Sequence, residues 1–328
     1  MESAGSKNCW GHCLAVLTVL AAVPLFFLGA EVTTKGAGMA DQRSFVPFWD
    51  AIYEMATGEH AHGWLIEHSH RLAGWLIGLC GIALCVTLWL TEPRRWVRWL
   101  GTAALGLIIV QGLLGIFRVQ LNALLGPNLA WVHGSFAPLV LGTLVSLAVV
   151  TSGSWTDPGP APEAPGERRL ATLTCGVIYA QLVVGGMVRH RDFFWGARLH
   201  LALAFAVAAL VVSLFVRIKA IPGARVPGTT APQAKPGGRL AWTLLILLGA
   251  QVLLGIETWL SRFYHPALPW NQLEPLLVRP EIVRTLHFVL GSFLFATAVA
   301  LVLSLYRPAT RTSASQRPLY APGQEVLV

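Results

Sequence analysis

The chain has 328 residues, 55% hydrophobic and only 12% charged, about half the charge of an ordinary soluble domain. Its mean hydropathy is +0.60. So few charges exclude a disordered chain, a disulfide-stapled secreted scaffold and a soluble enzyme, and leave a polytopic membrane protein. The net charge of +8 does not indicate nucleic acid, because no basic run accompanies a nucleic-acid-binding motif.

A spanning helix needs about 20 mostly apolar residues. Eight such runs occur, near 12–30, 66–90, 99–118, 130–151, 169–188, 197–217, 240–260 and 283–306. The expected fold is an all-α integral membrane protein of eight transmembrane helices. The first run follows Lys7 but lacks a small-x-small cleavage site, so it reads as a span and not a signal peptide. With the N-terminus inside, Lys7, Arg94, Arg95, Arg98, Arg168, Arg169, Arg217, Lys219, Arg225, Lys235, Arg239, Arg307, Arg311 and Arg317 lie on the cytoplasmic side. They outnumber the cations of the opposite loops, which places both termini in the cytoplasm. Cys80, Cys85 and Cys175 fall in spans as small hydrophobes. Cys9 and Cys13 sit at the inner end of the first span.

The segment 153–168 is rich in Pro and Gly and joins two halves of four spans, at 1–152 and 169–306, with a polar tail at 307–328 expected to be mobile. The halves repeat weakly. "QGLLGI" from Gln111 matches "QVLLGI" from Gln251, and the starts of spans 2, 4, 6 and 8 each carry a histidine: His70, His133, His200 and His287. The longer second interval is accounted for by insertions in loops, where length costs little. The expectation is two pseudo-repeated four-helix bundles.

By parity the four histidines lie at one depth, one turn inside the outer interface. Ionisable groups inside spans are costly and tend to be functional. Two imidazoles on facing helices, twice over, suit the axial positions of a haem held within a four-helix bundle. Zinc would require further Cys or carboxylate ligands. Haem also accounts for the outer cations, since its propionates pair with Arg: Arg71, Arg198 and Arg284 lie within three residues of a histidine, and Arg118, Arg189 and Arg191 are near the same face. Glu67, one turn before His70, has Ala197 as its counterpart before His200. The first half therefore reads as reactive, and the second as an electron-transfer or structural haem site. A non-catalytic di-haem cytochrome relaying electrons to or from quinol explains the histidines but not Glu67. A transporter with a His-lined path predicts no haem.

Glu67, His70 and Arg71 form a Glu-x-x-His-Arg signature. With one His opening each of spans 4, 6 and 8, the duplicated eight-span layout and the Gly-rich "GAEVTTKGAGMA" (29–40), the chain resembles the haem A synthase family over roughly residues 20–306. The resemblance implies oxidation of the C8 methyl of haem O to a formyl group, through an alcohol and with water as oxygen source, giving haem A for cytochrome oxidase. It implies the substrate haem by His70 and His133, a haem b cofactor on His200 and His287, and Glu67 as the acidic catalytic residue. It further implies a place in the cell inner membrane, haem O synthase or cytochrome oxidase assembly factors as neighbours, and room for a homo-oligomer. The chain departs from the family at "DQRSFVPFWD" (41–50), where members carry a PDWP-like motif and in some cases a Cys pair.

Of the other residues, His60, His62 and His68 are read as outer-loop residues, with His68 facing away from His70. Gln111, Gln181 and Gln251, each followed within four residues by Gly, read as packing groups. Glu257 reads as a snorkelling or Arg-paired carboxylate. Trp131 and Trp195 read as interfacial anchors that could also line a porphyrin face.

Overall fold

The computed structural model describes residues 9–43, 45–58, 62–156, 164–191, 195–221, 237–263 and 279–307, with the side chains of 62, 262 and 263 outside that set. All secondary structure among them is helical, in chain order α1 (Trp10–Thr34), α2 (Phe48–Thr57), α3 (His62–Thr91), α4 (Arg95–Gln120), α5 (Asn122–Leu125), α6 (Pro127–Val150), α7 (Gly153–Thr156), α8 (Pro165–His190), α9 (Gly196–Ala220), α10 (Gly238–Phe263) and α11 (Pro280–Tyr306). Eight of these are long and apolar enough to cross a membrane, and they coincide with the eight runs read from hydropathy. The chain is an all-α integral membrane protein.

The helices outrun the apolar stretches because a helix continues through the interface until its end chemistry changes. Pro opens α6, α8 and α11, where its missing N–H would have had no partner anyway. So α8 begins at Pro165, inside the segment read as linker. At the other end of α1, Gly36 takes φ +64. Ala37 N–H donates to Val32 O at 2.8 Å and Gly36 N–H to Thr33 O at 3.2 Å, a Schellman stop that only Gly makes without strain. That turn sends the chain back across the start of α3.

The buried apolar residues form two clusters. One joins α1, α3, α4 and α6 around Leu84, Leu88, Leu144 and Leu147. The other joins α8, α9, α10 and α11 around Ile178, Leu214, Leu244 and Leu301. They meet where α6 packs on α8 and α11, and α1 on α11. α11 is the most enclosed span, 56% buried against 33% or less for the others, so it is the central pillar. Its Phe295 lies against Gly142 of α6, 3.0 Å from where a Cβ would stand.

A Gly142→Leu substitution must push Phe295 out of that seam. Overpacking of this kind costs about 1–3 kcal/mol. It should lower the thermal midpoint of the detergent-purified protein by several degrees, with Gly142→Ala intermediate. An unchanged midpoint for Gly142→Leu would show that the seam does not hold the halves together.

Candidate functional site

Each histidine-bearing helix starts at the same end of the bundle as the preceding long helix finishes. The structure brings His70 and His133 together, with ring centroids 6.4 Å apart and planes at 85°. It brings His200 and His287 together at 6.2 Å and 76°. Each ring leans on a glycine of the helix before it: His70 on Gly29, His133 on Gly115, His200 on Gly185 and His287 on Gly255. A Cβ on Gly29 or Gly185 would stand 2.8 Å from the ring carbon Cε1, and on Gly115 or Gly255 3.3 and 3.2 Å.

The glutamines read as packing groups hold these histidines. Gln111 donates from Nε2 to the backbone carbonyl of His133 at 3.2 Å. Gln181 does so to His200 and Gln251 to His287, both at 2.9 Å. In each case the amide nitrogen lies 3.4 Å from the ring Nε2. A cross-helix hydrogen bond of this kind contributes about 0.6–2 kcal/mol in an apolar medium.

All four rings nevertheless keep Nδ1 buried with no hydrogen-bond partner. Such a nitrogen costs free energy unless something binds it. Among the described residues, the one cluster of three or more His, Cys, Asp or Glu side chains close enough to share a metal is elsewhere. Each pair therefore offers two imidazoles and no third protein ligand. That donor set does not satisfy tetrahedral zinc, but it fits a haem iron, which needs two axial ligands only. One metal ion at about 2 Å from a nitrogen of each ring spans a gap of this size.

The first pair has a buried carboxylate one turn before its first histidine, where the second has Ala197. Glu67 is 4% exposed. Its Oε1 accepts from Arg71 at 2.7 Å and its Oε2 from the backbone N–H of Asp41 at 3.0 Å. Arg118 on α4 acts electrostatically on both Glu67 and His70. Its guanidinium occupies the place of any side chain at Gly38. Ala197 offers no such group before His200.

Arg71 also donates to the carbonyls of Arg43 at 2.8 Å and Asp41 at 3.1 Å. Arg43 in turn grips the carboxylates of Asp41 and Glu54 at 2.6–2.7 Å. A clasp thus fastens residues 41–43 and α2 onto the start of α3. α2 turns Trp49 (74% exposed) and Tyr53 (69%) outward. In the sequence this segment shows only as an outer loop that departs from the PDWP-like motif. His68, far from being a loop residue, is fully buried on α3, stacked on Trp64 at 3.5 Å and 3.4 Å from the Asp41 carboxylate. His68, Asp41 and Glu54 could each offer one atom to an ion, but Arg43 already supplies the cation there. His60 and the side chain of His62 lie outside the described residues.

The other cations read as propionate partners are placed differently from Arg71. Arg198 is exposed, with its guanidinium over the Trp195 ring at 5.4 Å, and Arg284 is exposed on α11. Arg189 ties the halves, donating to Ala30 O and Thr34 Oγ1, both at 2.7 Å. Trp131 is half-buried near the start of α6. It packs on Gly186 and donates to Val183 O at 3.0 Å. His190, which the sequence did not single out, reaches the His133 helix, its Nε2 3.7 Å from where a Cβ on Gly134 would be. Glu257 is half-buried on α10, two residues beyond Gly255.

Residues 37–197 match the model of the family COX15-CtaA, cytochrome oxidase assembly protein. The chain is 26% identical over 265 residues to a heme A synthase of Granulibacter bethesdensis, covering 70% of this chain and 68% of that one. It is 27% identical over 184 residues to a heme A synthase of Alkalihalophilus pseudofirmus, covering 54% of this chain and 59% of that one.

The clasp is pH-sensitive. Burial raises the pKa of Asp41, but the hydrogen bonds from Arg43 and the charges of Arg43 and Arg71 outweigh it and hold the carboxyl below its ordinary value. The hydrogen bonds from Arg43 hold Glu54 low as well. Carboxylates depressed on folding stabilise the folded form above their unfolded pKa and lose that effect as pH falls. The clasp should therefore be at full strength at neutral pH, begin to weaken below about pH 4, and open as pH falls further through the depressed values. Hydrogen exchange over residues 41–58 should accelerate about tenfold or more on acidification, and equally for Arg43→Ala at pH 7. Unchanged protection in that variant would remove the clasp from the account.

Proposed function

Through residues 37–197 the chain belongs to the COX15-CtaA family, and from that premise we propose that it is a haem A synthase oxidising the C8 methyl of haem O to a formyl group. The observation that carries the reading is the pairing of His70 with His133 and of His200 with His287, each ring with a buried unpaired nitrogen. We assign the first pair, beside Glu67, to the substrate haem O, and the second, whose helix carries Ala197 at the position matching Glu67, to a resident haem b.

Haem b, when bound, supplies a one-electron redox centre. The protein's own groups do the rest. His70 and His133 orient the substrate by its iron. Turning a methyl into a formyl group with water releases four protons and four electrons, so a proton acceptor must stand beside the substrate. Glu67 is that acceptor. Its two oxygens offer about four lone-pair sites, and Arg71 and Asp41 N–H use two of them, fixing the carboxylate while leaving capacity to take a proton. Arg118 lies where it can balance the charge of Glu67 and of substrate propionates. The closed segment 41–58 covers this end of the helices.

The domain boundaries read from the sequence fit this division, with the first half as substrate site and the second as cofactor site. The same reading places the chain in the inner membrane with both termini cytoplasmic, its histidine end outward, and haem O synthase or cytochrome oxidase assembly factors as its neighbours.

Co-expression with a haem O source, followed by extraction and mass analysis of the haems, tests the reading. The wild-type chain should yield haem A. Glu67→Gln, which keeps the shape and loses the base, should retain haem and form at least 100-fold less haem A. Haem b alone from the wild type would select the electron-relaying cytochrome, and normal haem A from Glu67→Gln would remove Glu67 from the chemistry.

A further inference from the structure

Gly29, Gly115, Gly185 and Gly255 each face a histidine. Four residues before each, on the same helix face, stand Leu25, Gln111, Gln181 and Gln251. The three glutamines each donate to the carbonyl of the histidine they face and approach its ring. Leu25 has no side-chain donor to give, and the His70 ring itself donates to the Leu25 backbone carbonyl instead. Three histidines are thus tied by a buried amide and the fourth is not. The start of α3 is fastened instead by the clasp, where Glu67 and Arg71 meet Asp41 and Arg43. Arg43 in that clasp is half-exposed, at 50%.

We propose that His70 is the releasable ligand of the first site, and that Gln111, Gln181 and Gln251 are positioning residues that hold His133, His200 and His287. The missing amide at Leu25 lets the His70 helix give way when the clasp opens, so the first site takes up one haem and lets another go. The second site has a glutamine on both histidines and keeps its haem. The inference rests on the assignment of the first site to the substrate. A site whose substrate and product are both haems must break its own iron ligation every cycle. A population of released His70 raises the exit rate in proportion to that population, and the clasp sets how often it occurs.

The test uses the full-length purified protein loaded with haem b, and follows haem transfer to apomyoglobin together with the low-spin visible spectrum. The wild type should show a fast phase from the first site and a slow phase from the second. Leu25→Gln should slow the fast phase tenfold or more, while Leu25→Met, similar in size but without a donor, leaves it unchanged. Gln251→Leu and Gln181→Leu should speed the slow phase and shift that haem toward a high-spin spectrum. These two decide the matter even if Leu25→Gln fails to fold. A fast phase identical in folded Leu25→Gln and Leu25→Met, or a slow phase and spectrum untouched by Gln251→Leu, would overturn the proposal while leaving the functional reading standing. A single phase from the wild type would overturn the substrate-site assignment itself, and the proposal with it.

Discussion

A histidine ring inside an apolar helix bundle has two nitrogens to satisfy and little around it but hydrocarbon. Here four such rings each sit in a gap left by a missing side chain, at Gly29, Gly115, Gly185 and Gly255. The close approach fixes where each ring can point, and the rings meet in two pairs about 6 Å apart. Neither pair has a third protein ligand among the described residues. The arrangement leaves buried nitrogens unpaired, an expense that a fold retains for something it binds. The bundle around it, from the two apolar cores to the central α11, serves to hold four helix starts at one level.

Repetition makes the departures informative. Both halves carry the same glycine and histidine frame, so differences between them are differences of use. The first half adds Glu67 with its partners Arg71, Asp41 and Arg118, and a segment folded over its end. It also lacks one glutamine. On the proposed reading, chemistry and exchange are concentrated in one site, while the other is symmetrically tied and has Ala197 in place of a carboxylate before His200. The match of residues 37–197 to the COX15-CtaA family model agrees with the proposed haem-handling role, and the asymmetry between the sites comes from the residues themselves.

The spans were legible in the sequence because length and hydropathy alone dictate them in a bilayer. The pairing of His70 with His133 and of His200 with His287 was legible in the repeat. Glu67 was legible as a departure from the repeat. What stayed hidden was whatever depends on partners distant in sequence. "DQRSFVPFWD" holds only the first residues of α2, a helix of 10 residues too short to register among the spans, and the bonds of Asp41 and Arg43 to α3 arise only once the Gly36 turn sends the chain back. Gln111, Gln181 and Gln251 showed their spacing to glycine, yet a packing amide and a histidine tie look alike until the facing helix is in place. The odd residue of that series, Leu25, could be found from the sequence only by aligning the first span to the other three, a match that "PLFFLG" hides because it lacks the glutamine and shares only Gly29 with all three. Trp131 had the composition of an interfacial anchor, and its burial against Gly186 depends on how the halves dock.

The most direct test of two histidine-paired haem sites is low-temperature electron paramagnetic resonance of the purified, haem-loaded protein and of its single His variants. Two distinct low-spin signals should be present. His70→Ala or His133→Ala should remove or convert one of them, and His200→Ala or His287→Ala the other. A single signal that all four substitutions affect alike, or that none affects, would contradict the account.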